Sequence, residues 1–426
     1  MAKMLRKFSL YVICLAMLLS GSQVFAVSLQ WRVSTISWPR NVTVDSSGNI
    51  YADAGDSVNA GTLYKISSTG AILWTATTGI SPGGIAVDAS GNIYVANFYS
   101  NTLQKFTSAG AVSWSKATGT NPDQVAVDAS GNIYVTNNGS NTLQKFTSAG
   151  VVSWSKATGT APGGVAIDSA GNIYVTTHGA TPSPGTLRKF TSSGVVSWTV
   201  TAGVFPYGVA VDGAGNIYVA NYSSGTLQQF TSTGALVWTS ATGSGPNDVA
   251  LDGAGNIYIV NCASNTLQKF NSTGAALWTV ATDLEPVGIA LDGSGNMYVT
   301  NEASATVEKF VLSCSGPVTI PWTDPTVTAN TTPFRAIHIN ELRTWINNRR
   351  ADAGLAACTW TDPTITTNST PIRKVHFDEM RSCISAVYTA CGQAIPTFTN
   401  STITANITPV RKVHIDELRT YTSNAP

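Results

Sequence analysis

The residues best suited to chemistry in this chain recur at fixed intervals. Asp45, Asp88, Asp128, Asp168, Asp212, Asp252 and Asp292 each open a D-x-x-G-N segment, at spacings of 43, 40, 40, 44, 40 and 40 residues. So many carboxylates invite metal ligation or acid–base work. An Asp that opens a Gly-Asn turn, however, accepts hydrogen bonds from the backbone N–H groups that follow it. Units forty residues apart also spread their carboxylates instead of converging them. The expectation is turn-forming aspartates, no metal and no cofactor. His178, alone before residue 338 and set in a Pro-rich insertion, reads as an exposed, idle loop histidine. No H-E-x-x-H or phosphate-binding Gly loop is present, and no catalytic residue is assigned.

A second set of residues varies where the units otherwise agree: Trp38, Arg40, Phe98, Tyr99, Asp123, Gln124, Phe205, Tyr207, Tyr222, Asn247, Asp248, Asp283, Glu285 and Glu302, with His178 among them. Aromatics beside amides suit a flat polar ligand such as a glycan. The carboxylates Asp248, Asp283, Glu285 and Glu302 suit a cation or an amine.

The elements that position these residues follow from the repeat, G-V-A-V-D-x-x-G-N-I-Y-V-x-N in outline. Each unit reads as four short strands with turn residues between them. In one unit these are Gly84 to Asp88, Ile93 to Asn97, Thr102 to Thr107 and Ala111 to Ala117. Four-stranded units of about 40 residues are the signature of propeller blades. Six units end in a tryptophan strand, at Trp74, Trp114, Trp154, Trp198, Trp238 and Trp278, and the seventh lacks one. The missing strand stands at the other end of the repeats, at Leu29-Gln30-Trp31-Arg32-Val33. The fold predicted is an all-β, seven-bladed β-propeller closed by an N-terminal strand, with the tryptophans packing between blades. The D-x-x-G-N turns then share one face with the third-to-fourth strand turns. The varied loops share the other, which makes that face the candidate binding surface.

Pro82-Gly83-Gly84-Ile85-Ala86-Val87-Asp88-Ala89-Ser90-Gly91-Asn92-Ile93-Tyr94-Val95-Ala96-Asn97 resembles the NHL repeat, a propeller unit. It departs from the usual NHL Asp at Asn97, Asn137, Asn221, Asn261 and Asn301. The second half, Thr102-Leu103-Gln104-Lys105-Phe106 through Gly110 to Trp114, is similar to quinoprotein blades, in which a Trp docks neighbouring blades. The resemblance covers roughly residues 28 to 312 and implies fold; propellers of this kind serve as scaffolds, sensors, lyases and hydrolases alike. Streptogramin lyases also resemble the repeat, but they use several convergent His and Glu residues. Quinoprotein dehydrogenases typically have eight blades and often a vicinal Cys pair, and neither feature is found here.

Residues 1–26 read as a signal peptide: Lys3, Arg6 and Lys7 precede the apolar run Phe8 to Leu19, and Val24-Phe25-Ala26 offers a cleavage site. Its removal takes the formal net charge from +1 to −2. With 11% charged residues, the chain gives no electrostatic case for nucleic acid. No later segment is long and apolar enough to span a membrane. Export permits disulfides among Cys262, Cys314, Cys358, Cys383 and Cys391, whose odd number leaves at least one thiol free or paired between chains.

The propeller is expected over residues 27–314, and three 38-residue repeats over 315–426. Each repeat places a Thr-rich extended stretch before a helix, giving a small α+β domain. Asn340, Asp378 and Asp416 read as N-caps. His338, His376 and His414 either converge on a metal or fill one repeated structural position, and the second is expected. The repeats look like those appended to other secreted bacterial proteins. The leading reading is an extracellular, cell-surface or periplasmic binding scaffold whose varied face recognises a protein or glycan, with the tail attached to the cell envelope. A metal-dependent lyase or hydrolase of the streptogramin-lyase type is the alternative. A purely structural envelope protein is the third.

Overall fold

The structure is a computed structural model that describes residues 26–35, 37–179, 182–313, 336–352, 357–362, 374–390, 397 and 412–424. The expected signal peptide falls almost wholly outside them. One compact unit spans Ser28–Val311, and the C-terminal helices belong to another.

The first unit is a seven-bladed β-propeller of four-stranded sheets. Blade 2 runs Pro82–Val87, Ile93–Asn97, Thr102–Phe106 and Val112–Ala117 from axis to rim, each strand antiparallel to the next. In blade 7 the N-terminal strand Ala26–Ser34 lies outside Thr306–Ser313, Met297–Asn301 and Pro286–Leu291, the position the phase of the repeat predicts. The inner strands of successive blades pack side by side, and the last packs on the first. Closure removes the two sheet edges an open fan would leave.

Burial explains the strand patterns. The second strand is buried on both faces, as Ile93–Asn97 shows, because it lies between two neighbouring blades. The outer strand Val112–Ala117 is mostly exposed. Each core is therefore shared: Tyr94, Ala96 and Leu103 of blade 2 pack with Val125, Ile133, Val135 and Phe146 of blade 3.

The recurring aspartates hold turns. Asp88 Oδ1 accepts the N–H groups of Ser90 and Asn92, both at 2.9 Å. Its Oδ2 accepts Asn92 Nδ2 at 2.8 Å and the Tyr94 hydroxyl at 2.9 Å. The same four bonds recur in every blade, for example around Asp45, Asp168 and Asp292. Partial burial acts to raise the Asp88 pKa, but the donors of Asn92, Tyr94 and Ser90 outweigh it and hold the carboxyl below its ordinary value. Gly91 closes the turn at φ +76°.

The fully buried Tyr94 ring lies between Trp114, 6.1 Å away centre to centre, and Lys105 Nζ, 5.4 Å from its centroid. Trp31, Trp74, Trp114, Trp154, Trp198 and Trp238 each also lie against a glycine of the next blade. Trp74 of blade 1 packs beneath Gly110 of blade 2, where a Cβ would come within 3.0 Å of the indole, and its Nε1 donates to Ser108 O at 3.3 Å. This is the inter-blade packing expected of these tryptophans. The departure from the NHL Asp also has a cause. Asn97 Nδ2 donates to Thr102 Oγ1 and Gln104 Oε1 while its Oδ1 accepts Gly79 N–H. A carboxylate could not make the two donations.

In the C-terminal unit, α1 (Ala336–Asp352), α2 (Lys374–Ala390) and α3 (Lys412–Asn424) pack against one another. Asn340, Asp378 and Asp416 are not N-caps: each helix starts four residues earlier. The apolar stripe begins at Ile339 and Phe377, so burying it requires those residues to be helical already. The core joins Ile339, Leu342 and Ile346 with Phe377, Met380, Ile384 and Leu418.

The E-[LM]-R segment of each helix pairs cyclically. Arg343 meets Glu379 at 3.2 Å, Arg381 meets Glu417 at 3.7 Å, and Arg419 meets Glu341 at 3.9 Å. The three repeats thus close on themselves and do not stack in a line. Cys358 and Cys383 form a disulfide, Cys262 is a free thiol, and Cys314 and Cys391 lie outside the described residues. His376 is buried with Nε2 2.7 Å from Asp362 Oδ2. The side chains of His338 and His414 lie outside the described set, as do the extended stretches before the helices. Among the described residues, no helix is long and apolar enough to cross a membrane.

Candidate functional site

Every inner strand begins with proline and reads P-x-x-[VI]: Pro39-Arg40-Asn41-Val42, Pro82-Gly83-Gly84-Ile85, Pro122-Asp123-Gln124-Val125, Pro162-Gly163-Gly164-Val165, Pro206-Tyr207-Gly208-Val209, Pro246-Asn247-Asp248-Val249 and Pro286-Val287-Gly288-Ile289. The pairing with the second strand is irregular across these two x positions in every blade. Seven of the residues at these positions line one pocket. Seven strands of nearly constant sequence thereby deliver a ring of variable residues.

A pocket of ≈ 120 Å³ is lined by seven residues at these positions, Arg40, Gly83, Asp123, Gln124, Tyr207, Asn247 and Val287, and by Glu302, which follows the second strand of blade 7. Six of the fifteen residues expected on the varied face thus meet: Arg40, Asp123, Gln124, Tyr207, Asn247 and Glu302. Glycines in alternate blades let large residues reach across. The Tyr207 hydroxyl of blade 5 donates to Asp123 of blade 3, 3.0 Å from Oδ1 and 3.3 Å from Oδ2, past the glycines of blade 4. Asn41 Nδ2 of blade 1 reaches Gln124 Oε1 of blade 3 at 3.0 Å, past the glycines of blade 2. A Cβ on Gly164 would lie 2.3 Å from Tyr207 O, so that position must be glycine for the inner strands to approach.

Electrostatically the pocket is unbalanced. Arg40 pairs with Glu302 at 3.4 Å. Asp53, fully buried behind it, accepts Asn41 N–H at 2.9 Å, and burial pushes its carboxyl up to about 6 against the Arg40 charge. Asp123 is 7% exposed, and burial pushes it likewise to about 6. Its hydrogen-bonding partner is the neutral Tyr207, whose own pKa burial drives well above 10.

The remaining candidates do not join the pocket. Asp248 holds two inner strands together, accepting Val249 N–H at 2.8 Å and Ile289 N–H at 3.1 Å, and burial raises it to about 6. Asp283 meets Arg32 at 2.7 Å and accepts from Thr306 Oγ1 at 2.8 Å, at the strand closure of blade 7. Glu285 is exposed at the bend before Pro286, with φ +56°. Trp38 and Tyr99 are exposed, and Phe98 makes an edge contact with Tyr99. Tyr222 packs on Phe205 and bonds the Cys262 thiol.

His178 is not an idle exposed residue. It is 9% exposed and stacked 3.9 Å from Phe205 and 5.5 Å from Tyr207, centre to centre. Desolvation lowers its pKa to about 4, so it is neutral. Its Nε2 would lie 2.8 Å from a Cβ on Gly163, so the imidazole occupies the space that blade 4 leaves at the ring. The Pro-rich insertion hid this, because its length implied solvent exposure.

The sequence reading missed Asn41, Asp53, Gly83 and Val287. Variation confined to the two residues after each inner-strand proline would have located three of them. The sequence reading also took a G-x-S-x-G segment to be absent, which is wrong: Gly79-Ile80-Ser81-Pro82-Gly83 spells it. A nucleophilic serine of that motif needs a strand-to-helix turn and an exposed hydroxyl. Ser81 is instead fully buried between two strands at φ +52°, the same left-handed bend that Asn121, Ala161 and Phe205 make in other blades. Among the described residues, no three His, Cys, Asp or Glu side chains are grouped so as to hold a metal.

Comparison with known proteins agrees with this architecture. The family profile of outer membrane protein assembly factor BamB matches residues 183–317, and that of the NHL repeat matches residues 80–106. No curated protein matches the chain. Among solved structures, a virginiamycin B lyase from Staphylococcus aureus aligns with a TM-score of 0.57 at 13% identity, over 67% of this chain and 100% of that one. A streptogramin B lyase aligns with 0.57 at 14%, over 68% and 98%. A catalytically inactive form of the Staphylococcus aureus enzyme with quinupristin aligns with 0.58 at 14%, over 67% and 100%. At such identities the likeness is one of fold. The two family matches and the seven closed blades together identify this chain as carrying a propeller of the NHL and quinoprotein type.

Proposed function

We propose that this is an exported, envelope-associated binding protein whose propeller holds one polar group of a protein or glycan ligand in the axial pocket. The tail, in this reading, tethers or assembles the propeller in the envelope. The observation that carries it is the convergence of Arg40, Asp123, Gln124, Tyr207, Asn247 and Glu302 on the axis, while the opposite face repeats one turn in every blade. Diversity concentrated in a concave polar site on a rigid, repetitive frame is what recognition requires. The match to the family named for outer membrane protein assembly supports a place in the envelope and a protein partner. The test is capture of envelope material by the chain and by an Asp123→Ala, Tyr207→Ala, Asn247→Ala variant of equal thermal stability. Loss of at least one captured component is expected, with material held by the tail retained, and an identical captured set refutes the proposal.

The likeness to virginiamycin B lyases favours lyase activity as the second reading. Incubation with a type B streptogramin, with and without divalent metal, decides it. Ring opening that depends on the axial residues would replace the scaffold reading. No turnover leaves the scaffold reading standing.

A further inference from the structure

The charges at the axis point to the chemistry of the ligand, given that the pocket binds one. We propose that the axial pocket receives a primary ammonium or guanidinium group, seated on the carboxylate of Asp123. A buried carboxylate is ordinarily tolerated when a cation or several donors compensate it. Asp123 has no ion-pair partner within contact distance among the described residues: it is more than nine-tenths buried, lines the cavity, is hydrogen-bonded by the neutral hydroxyl of Tyr207, and feels Arg40 only at longer range. The one cation in the lining, Arg40, is already engaged by Glu302 at 3.4 Å and faces the buried Asp53 behind it. Acid groups therefore outnumber the base around an open space. Burial raises the Asp123 carboxyl to about 6, and the Tyr207 hydrogen bond and the more distant Arg40 charge offset that only in part.

The rest of the lining fits this occupant. Asn247 brings a side-chain amide to the lining, Gln124 Oε1 keeps a second lone pair beyond the one that accepts Asn41 Nδ2, and the Tyr207 ring offers an aromatic surface. The pocket, at ≈ 120 Å³, accommodates a side-chain terminus or one sugar ring and not an extended polymer. The same chemistry reaches the site from a lysine or arginine side chain of a protein, or from an amino sugar of a glycan.

The experiment titrates the full chain by ligand-observed NMR with four probes: Nα-acetyl-lysine methylamide and its neutral counterpart Nα-acetyl-norleucine methylamide, and glucosamine and its neutral counterpart N-acetylglucosamine. At least one cationic probe is expected to bind at least tenfold more tightly than its neutral partner, and which one binds distinguishes protein from glycan. This comparison needs no variant. Asp123→Asn, which keeps shape and removes charge, is expected to abolish the preference, while Asp56→Asn, an acid outside the lining, leaves it intact. Equal binding of neutral and cationic probes overturns the cation assignment but leaves a binding pocket. Binding of no probe, together with envelope capture that survives the axial variants, overturns both.

Discussion

At the residue scale, one side chain type does two different jobs according to its neighbours. The turn aspartates are surrounded by donors, whereas Asp123 is buried with almost none. Asp128 accepts the N–H groups of Ser130 and Asn132 through one oxygen, and Asn132 Nδ2 and the Tyr134 hydroxyl through the other. In Asp128→Asn one of these donor pairs must face an NH₂ group. The expected cost is about 1–3 kcal/mol in urea unfolding, and a variant as stable as the parent would contradict the role assigned here. Asp123 and His178 carry opposite pH dependences. The folded carboxyl, raised to about 6, is penalised when ionised, so Asp123→Asn should gain in melting temperature over the parent as pH rises from 4 to 7. His178, lowered to about 4, is neutral in the fold and protonates more readily in the unfolded chain. His178→Phe, which keeps the stack on Phe205, should therefore gain over the parent as pH falls from 7 to 4. Melting curves of both variants across that range check the two slopes, and parallel curves would refute the burial assigned to either group.

At the scale of elements, the outer strand of blade 7 differs from its six counterparts in having no turn to tie it to its neighbour. Where other blades place Gln104, Gln144 or Gln268 to accept a backbone N–H, blade 7 has Glu308. Its Oε2 does the same work, accepting Asp283 N–H at 3.0 Å. Its Oε1 takes Arg32 of the N-terminal strand at 2.8 Å, and Asp283 takes the same guanidinium at 2.7 Å. A charge-assisted clasp thus replaces the missing covalent link and gives one outer strand an address that near-identical strands lack. Arg32→Ala should raise amide exchange in Ala26–Ser34 above that of Val112–Ala117, with a stability loss on the order of 1 kcal/mol because Arg32 is half exposed. Unchanged exchange would show that strand pairing and Trp31 alone hold the closure.

At the scale of the whole molecule, both units are rings. The propeller closes with its own first strand, and the tail closes through Arg343, Arg381 and Arg419 on the glutamates of neighbouring helices. Because the seven sheets are completed by the propeller's own strands, residues 27–313 should fold alone with the strand spectrum and unfolding midpoint of the propeller in the full chain. A chain beginning at residue 36 would expose the outer edge of Thr306–Ser313 and should aggregate or unfold at lower temperature. Light scattering and circular dichroism separate the two cases, and a well-behaved truncated ring would refute the role of the N-terminal strand.

The repeat by itself determined the architecture. Period-two strands, Gly turns and the phase of Trp31 against Trp74 through Trp278 specify seven blades and their closure, because each is a local property multiplied by seven. The aspartate turns were legible for the same reason: donors and acceptor lie within six residues of one another. The site was only partly legible. The varied loops held part of the lining, yet only six of the named residues meet, because convergence depends on which positions of the inner strands the closed ring brings together: Asp248 follows an inner-strand proline but bonds two backbones, whereas Glu302 joins from the end of a second strand. His178 and Asp123 acquire their character from contacts 27 and 84 residues away, with Phe205 and Tyr207, and such distances carry no local pattern. The cyclic Arg–Glu pairing of the tail was likewise decided by tertiary structure. The E-[LM]-R spacing is visible in each repeat, but only packing three helices around one core brings each arginine to the next repeat's glutamate.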